Sequence, residues 1–212
     1  MVLQQVAKGE EGRERRSSRL EEQGTSEALQ ADLEDIRCCL GGDGEGYRRL
    51  IQRHQAWVSG MMRRFSRDPD THEDLVQDVF VEAYPSLPSY RGSAPFSHWL
   101  ARIATRVGYR HWKRQKRERA IETVTLEEWH EVPQEPNDEV DPATAGKLLY
   151  RLLEQLPPRD RLVLTLRFVE DRNVEDTARL TGWSRPMVKV QTLRARNKLR
   201  RLFEKARQEE EQ

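Results

Sequence analysis

The 212-residue sequence has few of the residues on which cofactor enzymes and disulfide-stabilised domains depend. Its only two cysteines are the neighbours Cys38 and Cys39, which are too few for a disulfide framework or a cysteine-based zinc site. The five histidines show no metal-ligand spacing, and glycine-rich phosphate loops, dinucleotide-binding motifs and nucleophile elbows are missing. These absences argue against an enzyme and against a bound metal or cofactor.

Long apolar runs are missing as well. No stretch of about 18 apolar residues occurs, which excludes a membrane-spanning helix. The N-terminus reads Met-Val-Leu-Gln-Gln and then becomes charged, unlike a signal peptide. We therefore expect a cytoplasmic protein without membrane insertion. Hydrophobic residues make up 36% and charged residues 34%, which favours small helical units with long hydrated faces over one large core.

The charges are abundant and strongly segregated, although the net charge is only +1. Eight Lys or Arg and one acid lie between Trp99 and Arg119, and ten Lys or Arg and one acid lie between Arg179 and Arg207. The intervening stretch from Ala120 to Asp141 holds eight acids and no Lys or Arg. Two basic blocks around a self-repelling acidic spacer predict two contacts with one polyanion. The alternative is that both blocks are ordinary hydrated helix faces.

Apolar residues recur at intervals of three and four along most of the chain, and no strand pattern competes with them. The sequence therefore predicts an all-α protein with two helical bundles joined by an acidic flexible linker. Proline pairs, glycine turns and composition place the boundaries. We expect a disordered tail over 1–28, a first domain over 29–117, the linker over 118–141, a second domain over 142–207 and an acidic tail over 208–212.

The second domain contains a helix-turn-helix signature at Thr181-Gly182-Trp183-Ser184. Gly182 permits the tight turn, and Ser184 caps the second helix. Outward positions near the start of that helix are expected to face base edges and phosphates of duplex DNA. The alternative is a three-helix bundle with a basic solvent face. The predicted DNA-contacting residues are Ser184, Arg185, Pro186, Lys189, Gln191 and Arg194.

The fourth helix of the first domain combines cations with aromatic residues. Its early aromatic residues, Phe96 and Trp99, fit the buried stripe, whereas later ones lie beyond that stripe. Cations that follow a backbone, with aromatic faces for stacking, suit a splayed single strand better than an intact groove. The predicted contacts are Arg102, Arg106, Tyr109, Arg110, His111, Trp112, Lys113 and Arg114.

The third helix has an acidic and polar outer face made of Glu73, Asp74, Gln77 and Asp78. DNA phosphates would repel this face, so it is expected either to dock a basic protein partner or simply to be hydrated.

Taken together, the residues from about Asp35 to Phe203 resemble the bacterial RNA polymerase sigma factors of the extracytoplasmic-function (ECF) type. Two motif sets occur in the order and spacing of that family. The first consists of Gly42-Asp43, Tyr47, the run from Glu73 to Phe80, Tyr90-Arg91-Gly92, Phe96, Trp99-Leu100 and Arg102-Ile103-Ala104. The second consists of Leu156-Pro157, Arg161, Gly182, Ser184, Val188-Lys189 and Arg194-Ala195-Arg196.

The resemblance implies a non-enzymatic factor with sigma region two, a linker and sigma region four. It implies that Asp74, Gln77 and Asp78 dock on the clamp helices of the largest polymerase subunit and that region four meets the flap. The basic aromatic helix would open and read the −10 element, and the helix-turn-helix would read the −35 element. The family further implies a linker in the RNA-exit path and an anti-sigma factor as a partner.

Two functions follow as competing hypotheses. In the first, the chain is a dissociable specificity subunit that recognises promoter DNA together with core RNA polymerase. In the second, it is an autonomous helix-turn-helix repressor or activator that binds duplex DNA alone. The docking face and the basic aromatic helix discriminate between them, because an autonomous regulator needs neither. Arg106 and Arg110 depart from the Asn and Asp common in the family, which favours phosphate contacts there.

Overall fold

The computed structural model describes residues 27–125 and 142–210, and these parts of the chain are helical with short connections. The predicted all-α fold is confirmed for them. Residues 1–26 of the expected N-terminal tail, the acidic stretch from 126 to 141 and the last two residues lie outside the described residues. Residues 27–28 and 208–210, which were expected in the two tails, are helical. The first helix, α1, spans 27–40 and ends where Gly41 and Gly42 form a turn, as the sequence predicts.

Three longer helices complete the first domain: α2 (Gly44–Met62), α3 (Pro69–Ser86) and α4 (Phe96–Thr125), with a 3-10 turn at Leu87–Ser89. Side-chain carboxylates begin two of them. Asp43 accepts a hydrogen bond from the Glu45 N–H, and Asp68 accepts one from the Thr71 N–H.

Helix α3 ends at Ser86, between Pro85 and Pro88, and it includes Pro85 because a proline in the last turn removes only one hydrogen bond. Helix α4 runs past the expected linker boundary to Thr125, so the first part of the predicted linker is helical. Residues 118–122 include Glu, Arg and Ala, which are good helix formers.

The first domain packs α2, α3 and α4 around one apolar core. Gly108 permits a close approach between α4 and the segment after α2, because a Cβ at this position would lie 2.3 Å from the Phe65 ring. The largest fully buried side chains include Leu50, Met62, Val79, Phe96, Leu100 and Ile103.

The second domain comprises α5 (Pro142–Gln155), α6 (Pro158–Leu164), a π-helical turn (Thr165–Val169), α7 (Val174–Thr181) and α8 (Arg185–Glu210). The predicted helix-turn-helix is confirmed. Gly182 ends α7 with φ of 74°, a left-handed conformation that glycine adopts without strain. Val188 and Ala195 of α8 are fully buried against α6, with Leu199 packed beside them.

The two bundles also pack against each other, which the sequence did not predict. Leu162 and Leu166 of the second domain are buried in the core of the first domain. The Arg161 guanidinium lies 4.0 Å from the centre of the Trp112 ring, and Arg67 lies 4.3 Å from the centre of the Tyr150 ring. The contact therefore joins α4 and the end of α2 to α5, α6 and α7.

Candidate nucleic-acid and protein interfaces

Helix α8 presents an open basic face. The side chains of Lys189 and Arg194 are exposed, and Pro186 lies exposed in the first turn. From Arg185 to Phe203 the helix carries no acidic residue. Three of the residues predicted to contact duplex DNA therefore lie on an accessible, positively charged surface.

The other predicted DNA contacts on α8 have partners within the domain. Ser184 accepts a hydrogen bond from the Met187 N–H at 3.4 Å and begins the helix. Arg185 pairs with Glu175 of α7 at 2.7 Å, but both side chains are mostly exposed, so this pair costs little to break. Gln191 donates a hydrogen bond to the buried carboxylate of Asp160, which withdraws it from the outer face.

Asp160 is a positioning residue that sequence reasoning missed. Its side chain is almost fully buried at the start of α6 and accepts hydrogen bonds from Gln191 and from Lys198 Nζ, the latter at 2.6 Å. A buried carboxylate needs such partners because burial disfavours its charge. These bonds tie α8 to the start of α6.

Two aliphatic side chains on α8 were also missed. Val190 is 49% exposed and Leu193 is 61% exposed, and both lie among the basic residues of the outer face. The prediction named Pro186 and polar residues, whereas the same helical spacing also places these two aliphatic side chains outward.

On α4 the predicted single-strand contacts divide into exposed and covered groups. Arg102, Arg106 and Tyr109 line a cleft of about 540 Å³ together with Leu180 and Trp183 of the second domain. Arg102 and Arg106 are exposed, whereas Tyr109 is half-buried. The turn between α7 and α8 therefore covers one side of the face expected to meet DNA.

Trp112 is a correction. We expected it outside the core, but it is only 2% exposed. Its indole N–H donates to the Phe65 carbonyl oxygen at 2.9 Å, and its ring packs on Phe65 and under Arg161. Its position four residues after the buried Gly108 continues the inner stripe of α4, so the helical spacing already indicated its burial. Trp112 offers no exposed ring for stacking in this arrangement.

The remaining predicted residues of α4 lie along its later turns. Arg110 pairs with Glu82 of α3, and Lys113 and Arg114 are exposed. His111 is half-buried, its Nδ1 atom has no hydrogen-bond partner, and burial together with the nearby Arg114 lowers its pKa. His111 is therefore neutral near pH 7.

The acidic face of α3 is exposed at all four predicted residues, Glu73, Asp74, Gln77 and Asp78. It borders two depressions. Asp74 and Asp78 line a polar cleft that His111 and Arg114 of α4 also line. Glu73 and Gln77 line a more apolar groove between α2 and α3, whose wall includes the exposed side chains of Val81 and Tyr84. The face thus combines charge with apolar surface, as protein interfaces do.

A buried ion pair between the domains was not predicted. Arg64 at the end of α2 pairs with Glu170 after the π-helical turn, and both side chains are largely buried. Burial lowers the pKa of Arg64, and the Glu170 carboxylate opposes that effect. Arg161 is likewise held with a lowered pKa by burial. These cations stabilise the domain contact only while their partners stay in place.

Within the described residues, no group of three or more His, Cys, Asp or Glu side chains is arranged to hold a metal ion. None of the helices described is long and apolar enough to cross a membrane.

Family models match both domains. The model of sigma-70 region 2 matches residues 50–118, and that of sigma-70 region 4 matches residues 146–199. Together they cover more than half of the chain, in the order that the motifs predicted.

Curated relatives match over 163 residues, or 73% of this chain. The chain is 27% identical to the ECF RNA polymerase sigma-E factor of Haemophilus influenzae, of which it covers 86%. It is 29% identical to the RNA polymerase sigma-H factor of Pseudomonas aeruginosa, of which it covers 84%. Twenty-eight per cent of residues are shared with the sigma-E factor of Escherichia coli K12, of which 85% is covered.

Among solved structures, the chain is similar to the sigma factor RpoE of Bartonella quintana in complex with the anti-sigma factor NepR. The TM-score is 0.49 and the identity 21%, over 74% of this chain and 96% of that one. It is also similar to CnrH in complex with the cytosolic domain of CnrY, with a TM-score of 0.48 and 22% identity over 82% and 97%.

Proposed function

The chain belongs to the sigma-70 family as an ECF sigma factor that directs RNA polymerase to promoters, and we propose that three of its surfaces divide this work. The acidic face of α3 docks on core polymerase, α4 engages the −10 element and α8 reads the −35 element. As a sigma factor the chain initiates transcription without being an enzyme. The observation that carries the proposal is the pair of family matches to regions 2 and 4, joined with the segregated charges of these three surfaces.

The docking proposal rests on the position of the acidic face. Asp74, Gln77 and Asp78 are exposed on one side of α3, away from the core formed by Leu75 and Val79. A basic helical surface such as the polymerase clamp would find complementary charge there, and apolar contact at Tyr84 beside it. The flap is the corresponding partner of region four.

The −10 proposal requires a rearrangement. Arg102, Arg106 and Tyr109 line the cleft that Leu180 and Trp183 of the second domain close on one side. A single strand that stacks on Tyr109 and pairs its phosphates with these arginines needs the second domain to move away. We infer that binding to polymerase separates the two domains and so uncovers α4.

The −35 proposal assigns different roles to residues along α8. Lys189, with Arg185 once released from Glu175, lies near the start of the helix, where side chains reach base edges. Arg194, Arg196 and Arg200 lie further along, where phosphate contacts supply affinity and salt dependence. Gln191 is not assigned to base reading, because Asp160 holds it.

Three finer parts of the proposal concern partners and surroundings. We propose an anti-sigma factor as a partner, and the groove beside Val81 and Tyr84 offers the apolar surface that such a protein would cover.

We propose that the chain is cytoplasmic and associates with the nucleoid when it is bound to polymerase. We also propose that the acidic stretch up to Asp141 occupies the RNA-exit path, and that neutralising its acids alters abortive initiation.

Run-off transcription tests the proposed function. Core polymerase is incubated with genomic fragments, with and without the full chain. Defined transcripts that depend on the chain are expected. Tight binding of the chain alone to an operator-like duplex, without any stimulation of core polymerase, would contradict the proposal and favour an autonomous regulator, which the family matches do not favour.

A further inference from the structure

Helix α8 carries an aliphatic pair at the centre of its outer face. At about 100° per residue, Val190 lies about 200° around the helix from the buried Val188, almost opposite the core. Leu193 lies three residues further on the same outer side, and Val190 and Leu193 are 49% and 61% exposed. These positions fall in the second and third turns of the helix that follows the helix-turn-helix corner.

The charges around this aliphatic pair favour duplex DNA as its binding partner. Lys189 and Arg194 flank it, no acid occurs between Arg179 and Phe203, and α8 is the second helix of a helix-turn-helix. A protein partner of matching chemistry would have to be acidic and apolar, whereas duplex DNA offers phosphates around a groove that contains methyl groups. In the major groove the only apolar group is the C5-methyl of thymine.

We propose that Val190 and Leu193 read thymine methyl groups in the −35 duplex. The inference rests on the proposed −35 role of α8 and makes it more specific. Gln191, whose amide could otherwise read adenine, is bound to Asp160 and is therefore not available to the DNA. Apolar contacts with thymine and the flanking contacts of Lys189 then set the sequence preference together.

The packing indicates that Val190 and Leu193 are not core residues that have become exposed, which supports a role in recognition. The core of the domain is filled by Val163, Leu164, Val188 and Ala195, each buried to 3% exposure or less. Gln191 and Lys198 donate hydrogen bonds to Asp160, and these bonds favour the rotation of α8 that places Val190 and Leu193 outward.

Replacement of thymine by deoxyuridine tests the proposal, because it removes only the methyl group. Holoenzyme made from core polymerase and the full chain first selects its −35 sequence from a randomised duplex library. Each thymine of the selected duplex is then replaced singly by deoxyuridine. At one or two positions the replacement is expected to weaken binding about fourfold, the ratio that corresponds to about 0.8 kcal/mol for one buried methyl-sized group.

Two variants locate the effect. At one of these positions, holoenzyme with Leu193→Ala is expected to bind the duplex with thymine and the duplex with deoxyuridine equally tightly. Holoenzyme with Val190→Ala is expected to lose the difference at the other position or at the same one. The matched control is Arg196→Ala, expected to weaken both duplexes by the same factor because it acts through phosphate. Both aliphatic residues are largely exposed, so neither change disturbs the core.

The outcomes separate this inference from the proposed function. If a sequence is selected but deoxyuridine is tolerated at every position, the methyl reading is wrong while the −35 role stands. If Leu193→Ala weakens holoenzyme assembly and leaves the base preference unchanged, the aliphatic pair contacts protein and the inference is wrong. If the library yields no sequence preference at all, the −35 role itself fails.

Discussion

The two basic helices differ in access, although both carry clusters of Lys and Arg. The outer face of α8 is open along its first turns, whereas part of the face of α4 lies in the cleft closed by Leu180 and Trp183. Arg161 over Trp112 and the Arg64–Glu170 pair hold the two domains in this arrangement. The surface proposed to read duplex DNA is therefore accessible in the free chain, whereas the surface proposed to bind a single strand is partly covered.

This difference in access also separates the proposed DNA contacts that need polymerase from those that do not. On the proposed roles, the isolated chain can contact duplex DNA through the open face of α8. On the same proposal, α4 engages a melted strand only after the domain contact breaks. On this proposal the chain opens and holds a −10 strand only on polymerase, to which it docks through the acidic face of α3.

The largest expected effect tests this dependence on polymerase. The double variant Asp74→Arg/Asp78→Arg should weaken core binding about 100-fold or more, because like charges replace complementary ones in the interface. Duplex binding by the isolated chain should be unchanged. Core affinity is measured by fluorescence anisotropy, and circular dichroism checks that the helices persist.

The matched control is Glu34→Arg on the exposed side of α1, which changes charge in the same domain. It should leave core affinity within about twofold. Because Asp74 and Asp78 share a cleft with Arg114, the neutral variant Asp74→Asn/Asp78→Asn is measured as well and should also lose affinity. Wild-type affinity in the neutral variant would refute the docking assignment.

The next effect concerns the open helix. Lys189→Ala should weaken the preferred −35 duplex by about 1–3 kcal/mol and relax the choice of base at one position. Arg185→Ala should act in the same way but less strongly, because Arg185 must leave Glu175 before it reaches DNA. Equilibrium binding to matched and mismatched duplexes measures both. An equal loss on every sequence would mean that these residues touch phosphate only.

A smaller effect concerns the covered helix. In Glu170→Ala, the charge of Arg64 is buried without its partner while the two domains are in contact, and it becomes hydrated when they separate. The substitution therefore favours the separated arrangement. The variant should therefore bind single-stranded DNA about tenfold more tightly than the wild type without polymerase, a shift of about 1.4 kcal/mol. The exposed pair of Arg48 and Glu45 within α2 supplies the control, since Arg48→Ala should change nothing. Equal single-strand binding by Glu170→Ala and wild type would contradict the covering of α4.

The smallest effect is a pH dependence at the same contact. Burial lowers the pKa of His111, which faces Arg114 and Glu118 on α4 and Arg161 of the second domain. The unfolded chain therefore binds this proton more readily than the folded chain, and stability is lost as the pH falls below about 6.5. The thermal midpoint should fall by roughly 1 °C more in the wild type than in His111→Gln between pH 7.5 and 5.5. Identical pH profiles would remove His111 from the account.

The helices and the helix-turn-helix could be predicted because their signals are local. Apolar spacing indicated the buried stripes, and Gly182 and Ser184 indicated the turn and the cap, each within a few residues. The exposed acidic face of α3 followed from the same spacing. The roles of these exposed residues in binding remain predictions, because exposure alone does not identify a partner.

The contacts between distant parts of the chain could not be predicted. Trp112 is buried under Arg161, and Arg64 pairs with Glu170, and no periodicity links residues so far apart in sequence. Gln191 was expected to read bases because its spacing faces it partly outward, but the buried Asp160 in α6 binds it. In each case a tertiary partner decides the side chain's role, and only the folded arrangement reveals that partner.

The distance between the two domains tests the central claim most directly. Spin labels are placed at two exposed positions, Gln52 on α2 and Asn197 on α8. The native cysteines are removed by Cys38→Ser and Cys39→Ala, so that only these two positions are labelled. The distance between the labels is measured by pulsed electron paramagnetic resonance. We predict one short distance in the free chain and a longer one in the complex with core polymerase and promoter DNA. An unchanged short distance in a complex that transcribes would contradict the claim that α4 must be uncovered.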